Sequence, residues 1–199
     1  MGRRAYIETP STAVINTQGE AKAHLRVDFT DDDTYIDSLC LAAKQTIENY
    51  CNVKLLRDTI IQYCDKWEDT KELYFSPSLN SASLDVTKIK FYNSDNAVET
   101  WEDTNYTVDN FSAPATISLL GTASYPNLYN RANAIEVYYT CGATSAADIP
   151  DQLKQAGLIL IGNMYENRQE IIVGRSVGSI PMTARYLMDP YKIQTLGQC

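Results

Sequence analysis

Two stretches of the chain repeat apolar residues every three or four positions, and a long region between them does not. In the first, Ile36, Leu39, Ala43, Ile47 and Tyr50 recur at helical spacing between Asp31 and Cys51. In the second, Leu153, Gly157, Leu160, Ile161 and Met164 make one stripe of a helix that opens near Pro150 and runs toward Arg168. Asp148 is placed to cap that helix, with Pro150 tolerated in its first turn, where no intrahelical donor is needed. Gly157 and Gly162 each weaken a helix by about 0.5–1 kcal/mol relative to Ala, so their presence predicts close packing against a neighbouring helix. Upstream, Thr17 and Glu20 have the spacing of a capping box and predict a short helix over 17–25, followed by an extended link, Arg26 to Phe29. A last short helix is predicted from Thr183 to Met188, stopping before Asp189-Pro190.

Between Arg57 and Cys141 the period changes. Thr59–Tyr63, Leu73–Phe75, Val86–Tyr92, Tyr106–Val108, Thr116–Leu119 and Ala134–Tyr139 are short, β-branched and aromatic, and turn clusters such as Asn93-Ser-Asp-Asn96 separate them. Lys88-Ile-Lys-Phe-Tyr92 alternates, which predicts one buried and one wet face. Ile171 to Ile180 reads as a loop or strand. The predicted class is α+β: a small antiparallel helical bundle with a strand-rich, antiparallel or sandwich-like insertion between the two long helices. The predicted organisation is a helical core with a C-terminal arm, residues 1–56 and 143–199, and a β-rich insertion, residues 57–142.

Composition narrows the function. With 44% apolar and 21% charged residues among 199, the chain can bury a core. The net charge of −8 argues against a dedicated nucleic-acid binder and does not exclude a wall that DNA slides past, since an acidic surface repels phosphates rather than gripping them. No apolar run approaches the roughly 20 residues of a membrane span. No apolar signal core follows the basic N-terminus, so synthesis in a cytoplasm and no membrane contact are expected. Five cysteines without a C-x-x-C pair predict buried thiols rather than zinc ligands. Cys40 and Cys51 lie eleven positions apart on one helix, roughly 16 Å, too far for a disulfide.

Catalytic chemistry is sparse. His24 is the one histidine, so any triad would have to run through it, and no Gly-x-Ser-x-Gly motif accompanies it. Asp31-Asp-Asp33 lacks metal-loop spacing and is read as acids stabilising a helix start. Gly174-Arg-Ser-Val-Gly-Ser179 has the glycines of a phosphate loop but not its lysine, and it follows a helix. Glu166, Arg168 and Glu170 read as a salt-bridged or partner-facing helix end. No enzyme activity, metal or cofactor is expected.

The order of several short motifs carries a resemblance. Lys22-Ala-His-Leu-Arg-Val-Asp28, Asp31-Asp-Asp-Thr-Tyr-Ile36, Ala42-Ala43 and Glu48-Asn-Tyr50 are followed by Ile149-Pro150, Leu153-Lys154, Ala156, Met164-Tyr-Glu-Asn-Arg168 and Leu187-Met-Asp-Pro-Tyr191. Together they resemble the head–tail connector (head-completion or adaptor) proteins of tailed bacteriophages, with a β region longer than in the compact members. The resemblance implies a structural virion protein at the head–tail junction that docks on the portal protein as a ring. It would extend the DNA channel without sequence-specific binding and offer a platform to the next tail or neck protein. It implies a head-to-tail ring of roughly twelve copies, by analogy with the portal. It also implies long helices packed on one another and an assembly edge at Glu166, Asn167, Arg168, Glu170, Tyr186, Leu187, Pro190 and Tyr191; separately, the last segment, Tyr186 to Cys199, is expected to be a docking arm that orders on binding the portal or a neighbour. An alternative reading makes the β-rich insertion a carbohydrate- or receptor-binding module that uses its tyrosines and Trp101.

Overall fold

In a computed structural model of the chain, the described residues are 4–9, 11–73, 84–112, 114–168 and 180–193. They form an α+β protein that divides into two compact units. One is strand-rich, from the described residues within 4–11 and 57–144; the other is helical, from those within 12–56 and 145–193.

The strand-rich unit holds a five-stranded antiparallel sheet in the order β1-β2-β7-β3-β4, with β1 (Arg4–Thr9), β2 (Asp58–Cys64), β3 (Asp85–Tyr92), β4 (Val98–Trp101) and β7 (Ile135–Cys141). A two-stranded ribbon, β5 (Tyr106–Asp109) with β6 (Thr116–Leu119), completes it. Every residue of β2 pairs with one of β7, Asp58 with Cys141 through Cys64 with Ile135. That register puts Ile60, Cys64, Ile135, Val137 and Tyr139 on one buried face. The same face continues through Ile89 and Phe91 to Trp101. Against it lies a ring cluster: Trp67 and Trp101 at 4.7 Å, Tyr125 stacked on Trp67 at 5.2 Å and Tyr106 stacked on Trp101 at 5.2 Å. The Trp67 indole N–H donates to the Pro126 carbonyl at 2.8 Å, so the polar end of that buried ring is satisfied. Lys88 lies on the other face, its ammonium 4.5 Å from the Tyr138 ring centre.

Two strands depart from the sequence reading. β1 comes from residues assigned to the helical part, and β4 follows the turn at Asn93–Asn96 unannounced. Both are short edge strands whose pattern is too brief to stand out, although Asn96 at φ 59° is the residue type a tight turn before β4 requires. Of the expected strand Leu73–Phe75, Leu73 is buried outside any strand, and Tyr74 and Phe75 lie outside the described residues. The expected segment Ile171 to Ile180 lies outside them as far as Ser179.

The helical unit contains α1 (Gln18–Leu25), α2 (Asp33–Cys51), α3 (Asp151–Glu166) and α4 (Met182–Met188), the last continued by a 3-10 turn over Asp189–Tyr191. The capping box forms: Glu20 N–H donates to Thr17 Oγ1, and Thr17 N–H donates to the Glu20 carboxylate. Arg26 closes α1 in the left-handed conformation instead of opening an extended link. Ile36, Leu39, Ala43 and Ile47 are buried as their spacing requires, and Tyr50 is half-buried. At the end of α2 the buried Glu48 accepts from Leu55 N–H at 3.0 Å and pairs with Lys54 at 3.2 Å, so neither charge is buried alone. Cys40, Cys51, Cys64 and Cys141 are all buried.

Asp33 stands in the first turn of α2, as expected of the acids at that helix start, but the expected cap of α3 is not made by Asp148. Asp148 sits in a 3-10 turn that Ser145 caps, and Pro150 itself occupies the N-cap of α3 without a side-chain bond. Asp32 occupies the N-cap of α2 but makes no capping bond, because its carboxylate is committed elsewhere. Gly157 abuts Ile15 and Asn16 in the segment before α1 rather than another helix, whereas Gly162 faces His24 of α1.

Candidate functional site

Asp32 Oδ2 accepts two hydrogen bonds, from the Tyr165 hydroxyl at 2.5 Å and from Arg168 Nη2 at 2.8 Å. The Arg168 guanidinium lies over two rings, 4.7 Å from the centre of Tyr35 and 5.0 Å from that of Tyr165. Tyr35 in turn donates to the Met164 carbonyl at 3.4 Å. These five residues join the start of α2 to the end of α3, with a planar cation stacked on aromatic faces and hydrogen-bonded at its edge. The Tyr165 hydroxyl bond, and then Arg168, hold the Asp32 carboxyl below the usual carboxylate range; the same Asp32 bond raises the Tyr165 phenol. Arg168 is therefore paired inside the subunit, although about half of its side chain, 51%, stays exposed. Asn167 Nδ2 donates to the Asn163 carbonyl at 2.9 Å and finishes the helix. Glu166 is exposed, and Glu170 lies outside the described residues.

A second cluster sits at the other end of the same helices. The Tyr50 hydroxyl donates to Asp189 Oδ1 at 2.5 Å and accepts from Arg185 Nε at 3.0 Å, while Lys192 stands 4.8 Å from the Tyr50 ring centre. Ile193 N–H donates to the Cys51 carbonyl at 2.9 Å, and the Tyr191 hydroxyl donates to Gln152 at 2.9 Å. The segment from Met182 to Ile193 is thus pinned to the end of α2 and the start of α3. Its free face carries Met182 and Tyr186, 70% and 69% exposed and four positions apart, followed four positions later by the exposed Pro190. Leu187 and Tyr191 are half-buried.

Of the eight residues expected at one assembly edge, the seven described are not brought together. Gln152 touches the Tyr191 end and Arg168 the Asp32 end, sixteen positions apart along α3, or about 24 Å. Sequence spacing could not show this, because residues near in number after α3 return to its far end. Met182 was missed, although it shares the four-residue spacing of Tyr186 and Pro190.

Other candidate chemistry is placed as follows. His24 is exposed on α1, its ring beside Gly162. Among the described residues no group of His, Cys, Asp and Glu could hold a metal ion, and no helix is long and apolar enough to cross a membrane. Trp101, a ligand-binding residue in the alternative reading, is 5% exposed inside the aromatic cluster. Its burial follows from the β3–β4 register, which sets it opposite Ile89.

The fold has solved counterparts. It is similar to a chain in the neck of an empty GTA particle computed with C6 symmetry, with a TM-score of 0.76, 20% identity, and coverage of 100% of this chain and 99% of that one. A chain in the virion of a native gene transfer agent particle matches with a TM-score of 0.76, 21% identity and the same coverage. One in the neck of a native GTA particle computed with C12 symmetry matches with a TM-score of 0.72, 19% identity and again that coverage. No curated protein sequence matches. The sequence profile of the phage gp6-like head–tail connector proteins matches residues 17–120, which take in α1, α2 and the strands β2 through β6. With more than half of its length matched, the chain belongs to the phage gp6-like head–tail connector family and has that family's structural connector role.

Proposed function

We propose that this chain docks on the portal protein as a head-to-tail ring of roughly twelve copies, extends the DNA channel and presents a platform to the next neck component. Family membership supports the class of role, and the neck symmetries of the similar solved chains support the ring. The observation that carries the docking surface is the outward row Met182, Tyr186 and Pro190 on a segment otherwise fastened to its own helices. Large apolar side chains left exposed on a well-anchored short helix suit a partner contact. Within the expected edge, this reading centres docking on Tyr186 and Pro190. Leu187 and Tyr191 support them from below, and Glu166, Asn167, Arg168 and Glu170 form a separate contact. DNA would pass a wall of net negative charge that does not grip phosphates.

The test is Met182→Ser with Tyr186→Ser. Because both side chains stand in solvent, the thermal midpoint should stay close to that of the wild type. Co-sedimentation with portal, and rings on portal by electron microscopy, should fall about tenfold or more, as expected for loss of two apolar anchors. Undiminished portal binding by the double variant would refute the docking surface.

A further inference from the structure

The five-stranded sheet ends in two open edges. β1 pairs only with β2 and β4 only with β3, so among the described residues no strand lies beyond either. At β4 the groups left open can be named. Asn93 N–H donates to the Ala97 carbonyl across the turn. Pairs alternate from there, so Phe91–Glu99 and Ile89–Trp101 are hydrogen-bonded, and Tyr92–Val98 and Lys90–Thr100 are not. The backbone N–H and C=O groups of Val98 and Thr100 therefore point away from β3, off the sheet. Natural edges are usually blunted by lysine, proline or a bulge, and β4 has none of these. Its one charged side chain, Glu99, is tied back by Asn93 Nδ2 at 2.5 Å.

The opposite edge matches it. The register of β1 is unbroken over Arg4–Ile7, as long as the four residues of β4, and slips only between Ile7 and Thr9. Every neighbouring pair in the sheet is antiparallel, so β1 and β4, four steps apart, run in the same direction. Tyr6, 61% exposed, and Val98, 53% exposed, stand on the same outer face at the two edges. On the core face, β4 borders an open groove of about 660 Å³ walled by Phe91, Glu99, Trp101, Asn105, Leu120 and Pro126. The core layer stops at this groove for want of a further strand. Ala5 and Ile7 are the side chains that β1 carries on that face, opposite Gln62 and Ile60.

We propose that β1 of a second copy of the chain joins β4 edge to edge, in parallel, so that the sheet runs on from one copy into the next. The two edges lie on opposite sides of the sheet, about 19 Å apart at four strand spacings, so the contact is heterologous and propagates from copy to copy. A strand from an unrelated protein would satisfy one edge and leave the other bare, whereas a ring of copies satisfies both. A contact between like edges would pair off two copies and stop there. At the junction Tyr6 comes beside Val98 and Thr100, an aromatic against β-branched side chains, and Ala5 and Ile7 cover the groove. The proposal deepens the ring reading and rests on it.

The experiment uses the full chain carrying Cys199→Ser, assembled into rings on portal and oxidised with copper–phenanthroline. Tyr6→Cys combined with Val98→Cys or with Thr100→Cys should give a ladder of disulfide-linked copies on denaturing gels, because adjacent strands bring Cα atoms within disulfide reach. Each single variant should give none. Dimers from a single variant would show like edges pairing and overturn the junction. Rings that yield no ladder from either double variant would overturn it while leaving the ring reading intact, and absence of rings from the unsubstituted chain would overturn both. Thr100→Pro removes an N–H that points off the sheet, so the thermal midpoint should stay close to that of the wild type while ring yield falls roughly tenfold or more. Undiminished ring yield from this variant would also overturn the junction.

Discussion

Alanine at Gly157 and alanine at Gly162 should move stability in opposite directions, although both glycines lie inside α3. In a helix interior the substitution by itself contributes about 0.5–1 kcal/mol of stabilisation. A Cβ at 162 would meet only the His24 ring, at 3.5 Å, an ordinary contact, so the helix gain should survive. A Cβ at 157 would stand 2.2 Å from Asn16 Oδ1 and 3.3 Å from Ile15 Cδ1. Asn16 is 2% exposed and its Nδ2 donates to the Lys154 carbonyl at 3.1 Å, so it cannot swing aside without losing that bond. Overpacking of this kind costs about 1–3 kcal/mol, which leaves Gly157→Ala destabilised by up to about 2.5 kcal/mol net. For a chain of this size that lowers the thermal midpoint by up to about 10 °C, while Gly162→Ala raises it by about 1–4 °C. Calorimetry or circular dichroism melts measure both. In an Asn16→Ala background the Gly157→Ala penalty should vanish, because the obstructing amide is gone. A rise in midpoint for Gly157→Ala alone, or an unchanged penalty in the Asn16→Ala background, would refute the packing argument.

Asp32→Asn should alter stability chiefly in its acid limb. With its folded pKa depressed by Tyr165 and Arg168, Asp32 contributes fully above the ordinary Asp value of about 3.9. That contribution is lost as pH falls through the lower folded value. Wild type should therefore lose more stability than the variant between about pH 4 and the onset of acid unfolding, measured by denaturant titration at each pH, and parallel curves would contradict the assignment. Burial pushes the Cys40 and Cys51 thiols up to about 11, so both should resist a thiol reagent at pH 8 in the native protein and react on unfolding. Rapid labelling of either in the folded state would show that the helical core is not closed.

Much of the architecture was legible because it is local. The three-to-four-residue spacing of Ile36, Leu39, Ala43 and Ile47, and of Leu153, Leu160 and Ile161, selects a helix face whatever it packs against, and all seven are buried. The Thr17–Glu20 cap closes within three residues, and the alternation around Ile89 and Phe91 places both in the sheet core. Even so, short edge strands such as β1 and β4 have too few residues to show a period before they find a partner.

What the sequence determined on its own is therefore the α+β class, most of the elements, their buried faces and, through the order of short motifs, the connector family. The tertiary structure decided the destinations of polar and aromatic side chains. Asp32 reads locally as a helix cap, yet Arg168 and Tyr165, more than 130 positions away, claim its carboxylate. Trp101 reads as a surface aromatic, yet the register opposite Ile89 turns it into the core. The expected assembly edge reads as one surface, yet among its described residues Arg168 and Tyr191 are held at opposite ends of α3. Helix faces and caps depend on neighbours within a turn or two, whereas charge partners and surface patches depend on where distant segments meet.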